Sequence, residues 1–329
     1  MSAHFPDAET IRAVLALATR APSVHNSQPW RWRVGDHSLH LYADPGMHLP
    51  GIDPDRRDLM LSCGASLHHC AVALAAMGLQ AKVHRFPNPD EPNHLAAIEV
   101  CRQPASELDV ALAAAIPRRR TDRRHYSAWS VPAADIGLMG ARAARAGVML
   151  RQVESLPKLQ RIVAEAVAAH AHDQEYLSEL TAWSGRYASV AGVPARNIPP
   201  SDPTAAIPGR LFAGAALAQP EDTCADDENA VVLALGTKDD SELSRLRAGE
   251  ATSLVLLTAT ALGLASCPVT EPLEVSDTRA AVQEDVFGGS GYAQMLLRVG
   301  WAPVNAEPLP ATPRRPLDEV VELLDHMPH

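Results

Sequence analysis

Cysteine is scarce in this chain, and the few present make no framework. The five cysteines (Cys63, Cys70, Cys101, Cys224, Cys267) are odd in number and none forms a Cys-x-x-Cys pair. That argues against a disulfide scaffold and makes a reducing cytoplasm the expected location. Positive charge is also short: 29 Lys plus Arg stand against 39 Asp plus Glu, for a formal charge of −10. Bulk binding to nucleic acid or to an anionic membrane surface is not expected from that balance. No apolar run approaches the ~20 residues of a membrane-spanning helix. The opening "MSAHFPDAETIRAV" has no basic region followed by an apolar block, so no secretory leader is read there. What is abundant is apolar sequence: 47% of 329 residues, enough for one large domain or two ordinary ones with a substantial core.

One short stretch stands out. "RAPSVHNSQPWRW" (Arg20 to Trp32) begins like a helix and breaks at Pro22 and Pro29. Between the prolines lie Ser23, His25, Asn26, Ser27 and Gln28, a row of hydrogen-bonding side chains suited to holding a ligand. Two of the five tryptophans follow. A second cluster, Cys63, His68, His69 and Cys70, could suggest a metal. The surrounding "SCGASLHHCAVALAAMG" reads more simply as a buried helix.

The chain contains a worn internal repeat. "GASLHHCAVALAAMGL" (Gly64 to Leu79) and "GEATSLVLLTATALGL" (Gly249 to Leu264) share an opening glycine, an apolar middle and a Gly-Leu ending. Both read as helices buried on most sides, with Gly78 and Gly263 suited to left-handed ends. Strand candidates flank each: His37 to Asp44 and His94 to Cys101 in the first half, Ala230 to Thr237 and Tyr292 to Trp301 in the second. The order implies an α+β fold of two similar units, residues 1–108 and 109–329, joined as a pseudo-dimer. Each is expected to hold a central, mostly antiparallel sheet flanked by helices. Helical sequence from Pro157 to Trp183 leads into 184–227, rich in Pro, Gly and Ala. Its apolar Ile198, Ile207, Leu211 and Phe212 point to a covering segment more than to a solvated linker.

The second half opens with "PRRRTDRRHY" (Pro117 to Tyr126), five arginines in seven positions. A solvated face is one reading. Phosphate is the other, since arginine forks and a threonine hydroxyl match its oxygens. Arg314 and Arg315 add a basic pair near the C-terminus.

These stretches carry a resemblance. "APSVHNSQPW" resembles the APSxxNxQPW segment of the FMN-dependent nitroreductase family, and "RRTDRR" its RRSxRxF phosphate motif. "GLASCPVTEPLE" resembles its flavin-side loop, and "LRVGWAP…TPRRPLDEVV" its C-terminal strand and basic tail. Together they resemble the Acg-like branch, in which two nitroreductase units are fused. The resemblance implies that Arg119, Arg120, Thr121, Arg123 and Arg314 hold the FMN phosphate. It implies that Pro22, Ser23, Val24 and Asn26 face the flavin ring across the pseudo-dimer interface. Pro268, Val269, Thr270 and Glu271 would line the reactive N5 edge. Two departures stand out: Thr312 replaces a frequent lysine, and the motif's aromatic is displaced to Tyr126. A cation near flavin N1 and O2 is expected, with Arg186 and Arg196 as candidates.

FMN carries hydride chemistry on its own ring, so no acid–base dyad is required and no catalytic side chain is assigned. Neither the arginine cluster nor the PSxxN segment recurs, which implies one FMN per chain. The expected activity is hydride transfer from NAD(P)H, a transient reductant, to a nitroaromatic, quinone or similar small acceptor. The alternative is an FMN-sequestering protein with its flavin covered by 184–227. A dinucleotide fingerprint is a poorer reading of "FGGSGYAQMLLRVG", because that glycine cluster precedes a strand. With the family's dimer interface supplied internally, a monomer is expected.

Overall fold

The computed structural model describes residues 5–187, 189–202, 205–220 and 228–323. Cys224 and the end of the proposed cover, 221–227, lie outside the described residues. The first half runs through α1 (Ala8–Ala18), β1 (Trp30–Val34), β2 (Ser38–Ala43), α2 (Arg57–Ala76), β3 (Leu79–Arg85) and β4 (His94–Arg102). Next come α3 (Glu107–Ala115), α4 (Ala133–Arg145), β5 (Met149–Gln152), α5 (Leu156–His170) and α6 (Gln174–Trp183). A short pair, β6 (Ser184–Arg186) and β7 (Val193–Pro194), precedes β8 (Val231–Thr237), α7 (Glu242–Ala261) and β9 (Ala265–Pro268). The chain continues with α8 (Glu271–Glu274), α9 (Ser276–Phe287), β10 (Tyr292–Gly300), α10 (Leu317–Val320) and β11 (Val321–Leu323).

The fold is α+β, with two mostly antiparallel sheets flanked by helices. One sheet has the order β11-β1-β2-β4-β3, the other β5-β8-β10-β9. Without β11 the two orders correspond strand for strand. β11 is an exchange between the halves: the end of the chain returns to pair in parallel with β1, through Trp32 opposite Val321. The stretch 109–329 therefore completes a sheet begun by the first half. The 157–183 helix is two helices, because Asp173 caps α6 by accepting from the amides of Glu175 and Tyr176. Ser106 caps α3 in a reciprocal box with Asp109. Replacing Ser106 by alanine is expected to cost about 1 kcal/mol, read as a lower urea midpoint at unchanged slope.

Helices α2 and α7 cross at the centre through two glycines. A Cβ on Gly64 would lie 2.1 Å from the Leu246 carbonyl oxygen, and one on Gly249 would lie 2.1 Å from that of Leu61. The contact is the same from both sides, as for a twofold axis. Gly78 and Gly263 end their helical stretches at φ of +75° and +85°. Helix α2, with a mean hydropathy of 1.5, is long and apolar enough to cross a membrane by length and composition, contrary to the sequence reading. In the fold 78% of that window is buried, against α1, α3 and α7. Cys63 and Cys70 lie inside this helix as buried thiols.

Candidate functional site

A cavity of about 210 Å³ draws its walls from both halves of the chain. Pro22, Ser23, Val24 and His25 contribute from the first half, with Asp58, Leu61 and Ser62 of α2. Thr121, Arg123 and the run Cys267 to Glu271 contribute from the second. The proline-pinned segment is conformationally strained where it meets the cavity. His25, Asn26 and Gln28 have φ of 46°, 55° and 54°, a region that non-glycine residues seldom occupy. Fixed partners hold it there. Ser62 Oγ accepts from the Val24 amide at 3.1 Å, and Ser23 Oγ from the Gln28 amide at 3.0 Å. The Gln28 side chain donates to the Val190 carbonyl and accepts from the Arg315 amide. Trp30 and Trp32 anchor the exit: both are fully buried in the core on one face of β1, with Arg31 and Arg33 on the other.

The arginines divide into two groups. Arg123 faces the cavity, with its guanidinium over the Phe212 ring and a hydrogen bond to the Asn197 carbonyl. Arg119, Arg120 and Arg314 are not in that wall. They gather with Arg20, which the sequence reading did not assign although it opens the quoted segment. Burial first, then Arg120 and Arg20, pushes Arg119 down to about 10. Burial, then Arg119, Arg20 and Arg120, pushes Arg314 down to about 9. Arg314 donates to the carbonyls of Thr19, Arg20 and Ala21 beyond the end of α1. Arg119 Nε and Nη1 and Arg20 Nε are buried without a partner among the described residues. Arg20 thus adds a cation to the neighbourhood of Arg119, Arg120 and Arg314.

Asn26, which the resemblance sets toward the ring, is not part of the cavity wall. Its amide nitrogen donates to the carbonyls of Gly192 and Pro313, and its oxygen accepts from Arg314. It ties the segment to the C-terminal tail. The displaced Tyr126 is buried, donates to the Asp122 carbonyl, and lies under Arg298. Arg186 and Arg196 stay outside the cavity wall, bonded to the carbonyls of Ala182 and Ala311.

The 184–227 segment lines the cavity with Ile198, Asp202, Ile207 and Phe212, among others, while Leu211 is exposed. Its strongest attachment is Arg210. That guanidinium donates to Glu274 Oε1 at 2.5 Å and to Thr270 Oγ1, the Tyr176 hydroxyl and His25 Nε2 at 3.0 Å each. Burial opposes the Arg210 charge, but Glu274, Tyr176 and Glu271 outweigh it and raise its pKa. Glu271 also accepts from His170 and Tyr176. Burial would lift its carboxyl, yet Arg210 and His170 hold it below the ordinary value. A further tie joins Asp202 to His125 at 2.8 Å. Asp58, also unassigned in the sequence, is lifted to about 6 by burial against the pull of Arg57. Cys267 is a buried thiol raised by burial, although Arg123 and Arg298 pull the other way.

The arrangement offers a roofed chamber with mixed polar walls, flanked by under-satisfied cations. No protein-family model matches the chain. Whole-chain relatives do. It is 66% identical over 322 residues to a Mycobacterium tuberculosis H37Rv protein named "Putative NAD(P)H nitroreductase Rv3131", covering 98% of this chain and 94% of that one. It is 37% identical over 328 residues to the protein acg of the same strain, under the same nitroreductase name, covering 97% of each. Among solved structures it is similar to the FMN-dependent nitroreductase NfnB of Mycobacterium smegmatis, determined with NADPH. There the identity is 20%, the TM-score 0.40, and the coverage 66% of this chain and 99% of that one. Sequence identity at this level along nearly the whole length settles the kinship: the chain belongs to the NAD(P)H nitroreductase family.

Proposed function

We propose that the protein binds one FMN and acts as an NAD(P)H-dependent oxidoreductase toward a nitroaromatic, quinone or similar acceptor. The observation that carries this reading is the set of buried, unpartnered donors on Arg119 and Arg20, in a like-charge cluster beside a cavity. Such a cluster is costly unless a dianion compensates it. The cavity walls add Thr252 Oγ1, also without a partner among the described residues, as a group for a polar ring edge. FMN would supply hydride exchange at its ring. This chain's residues supply the rest: Arg20, Arg119, Arg120 and Arg314 the phosphate charge, Pro22 to Val24 one wall, and Pro268 to Glu271 the opposite wall.

A single site per chain, and descent of the halves from one duplicated unit, both draw support from the region matching the cavity in the other half. Arg85 stands as far past Gly64 as Thr270 stands past Gly249, and Glu250 follows Gly249 as Ala65 follows Gly64. Thr270 and Ala65 line the cavity. Arg85 and Glu250 instead make a two-bond ion pair at 2.9 and 2.8 Å, occupying the matching place. Because one chain supplies both walls, a monomer is the smallest complete unit.

The Arg210 socket favours a second reading, in which the cover keeps nicotinamide and acceptor away and the flavin is stored. Anaerobic addition of NADPH to FMN-loaded protein separates the two. Oxidoreductase function predicts prompt loss of flavin absorbance, restored by a quinone. Storage predicts slow loss, accelerated in Arg210→Met. A flavin-to-protein ratio near two would refute the single site.

A further inference from the structure

His25 sits in the cavity wall in a left-handed backbone conformation, with Phe212 edge-on to its ring at 5.6 Å. Its two nitrogens are in unequal positions. Nε2 lies 3.0 Å from Arg210 Nη1. A guanidinium only donates, so Nε2 must present its lone pair. In a neutral imidazole the proton then resides on Nδ1. Burial, Arg210 and Arg123 all hold the ring in that neutral state. Nδ1 is buried and has no partner among the described residues. A buried N–H without a partner, on a residue that lines a cavity, is a donor awaiting an oxygen.

We propose that His25 binds the nitro or quinone oxygen of the acceptor through its Nδ1–H, and that Arg210 of the cover is the positioning residue that selects this tautomer. The inference rests on the oxidoreductase reading and names the group that orients its acceptor. It gives the cover a constructive role: Arg210 occupies the Nε2 lone pair and so leaves Nδ1 of His25 as the donor. A neutral donor suits the task because it can polarise an oxygen without bringing a further charge beside Arg123 and Arg210. The strained backbone fits as well, since it fixes the ring at the cost of an unfavourable φ.

Two measurements on FMN-loaded protein test the proposal. In ¹⁵N-histidine-labelled protein, with the signal assigned through its loss in His25→Asn, His25 should show the neutral Nδ1–H pattern. Arg210→Met should convert it to the Nε2–H form that imidazole favours in water. An Nε2–H wild type, or a tautomer indifferent to Arg210, overturns the positioning role. The second measurement is the Kd of oxidised holoprotein for 1,4-naphthoquinone, read from perturbation of the flavin spectrum. His25→Gly accepts the left-handed backbone without strain and removes the donor. It should weaken quinone binding by about tenfold with FMN affinity unchanged. His25→Asn, which tolerates the same φ and keeps an N–H, should recover part of the loss. A change in FMN affinity alone would assign the donor to the cofactor and refute the proposal, as would no change or no quinone binding. Failure of NADPH to bleach the wild-type flavin would instead defeat the oxidoreductase reading, and it is measured separately.

Discussion

Gly249→Ala will destabilise the protein by about 3 kcal/mol or more, out of proportion to the single methyl group added. The new Cβ would meet three backbone atoms of Leu61, its carbonyl oxygen at 2.1 Å and its carbonyl carbon and Cα at 2.8 Å. Backbone atoms inside a helix cannot rotate aside as a side chain would. The only relief is to separate α2 and α7, which loosens the packing of Leu246, Ala248 and Val255 on both sides of the crossing. Gly64→Ala should behave alike, because its Cβ meets Leu246 in the same way. The double variant should cost less than the sum of the two, since either methyl already forces the helices apart. Gly137 supplies the control. It lies in α4, and a Cβ there would meet nothing within 4 Å. Alanine at that position should stabilise by up to about 1 kcal/mol through helix propensity alone. Urea midpoints of the four variants check the set. A wild-type midpoint for Gly249→Ala would mean that the two helices do not cross at these glycines.

The repeat that led to this crossing was legible because its signal is local. Gly, an apolar run and Gly-Leu recur in one frame, and the flanking strands at Ser38–Ala43, His94–Arg102, Val231–Thr237 and Tyr292–Gly300 fall close to where alternation and apolar runs place them. What was not legible depends on distant partners. β11 is a three-residue strand that exists by pairing with β1, and nothing in "VEL" announces it. The arginine motif reads as one contiguous phosphate grip, yet Arg120 and Arg123 have different surroundings. The first joins a cluster with Arg20 and Arg314, and the second faces the cavity. Arg210 lies in sequence with little periodicity, and its socket is assembled from α6, α8 and the strained segment at His25. Asn26, prominent in the motif, is used on the tail and on Arg314. Local pattern located the segments; long-range pairing decided which side chains reach the chamber.

Arg119, which is buried, and Arg314, which is partly buried, should fail in different ways when their charge is removed. Arg119→Met should weaken FMN binding by about 10- to 100-fold, the range for losing charge-assisted hydrogen bonds. It should leave riboflavin, which lacks the phosphate, bound as before. Without ligand the same variant should be at least as stable as wild type. Arg119 Nε and Nη1 satisfy no partner among the described residues, and its charge is opposed by burial, Arg120 and Arg20. Arg314→Met should be worse on both counts. Its guanidinium donates to the carbonyls of Thr19, Arg20 and Ala21 and to the Asn26 oxygen, so its loss strands part-buried acceptors and frees the tail from the PSxxN segment. Riboflavin should then weaken along with FMN, because Asn26 and Arg314 hold the segment whose Pro22 to Val24 form one cavity wall. Titrating both flavins against each variant, with denaturation of the ligand-free proteins, gives four numbers that the assignment must satisfy together. Equal loss of FMN and riboflavin in Arg119→Met would remove the phosphate from this cluster, and a stable ligand-free Arg314→Met would remove its structural role.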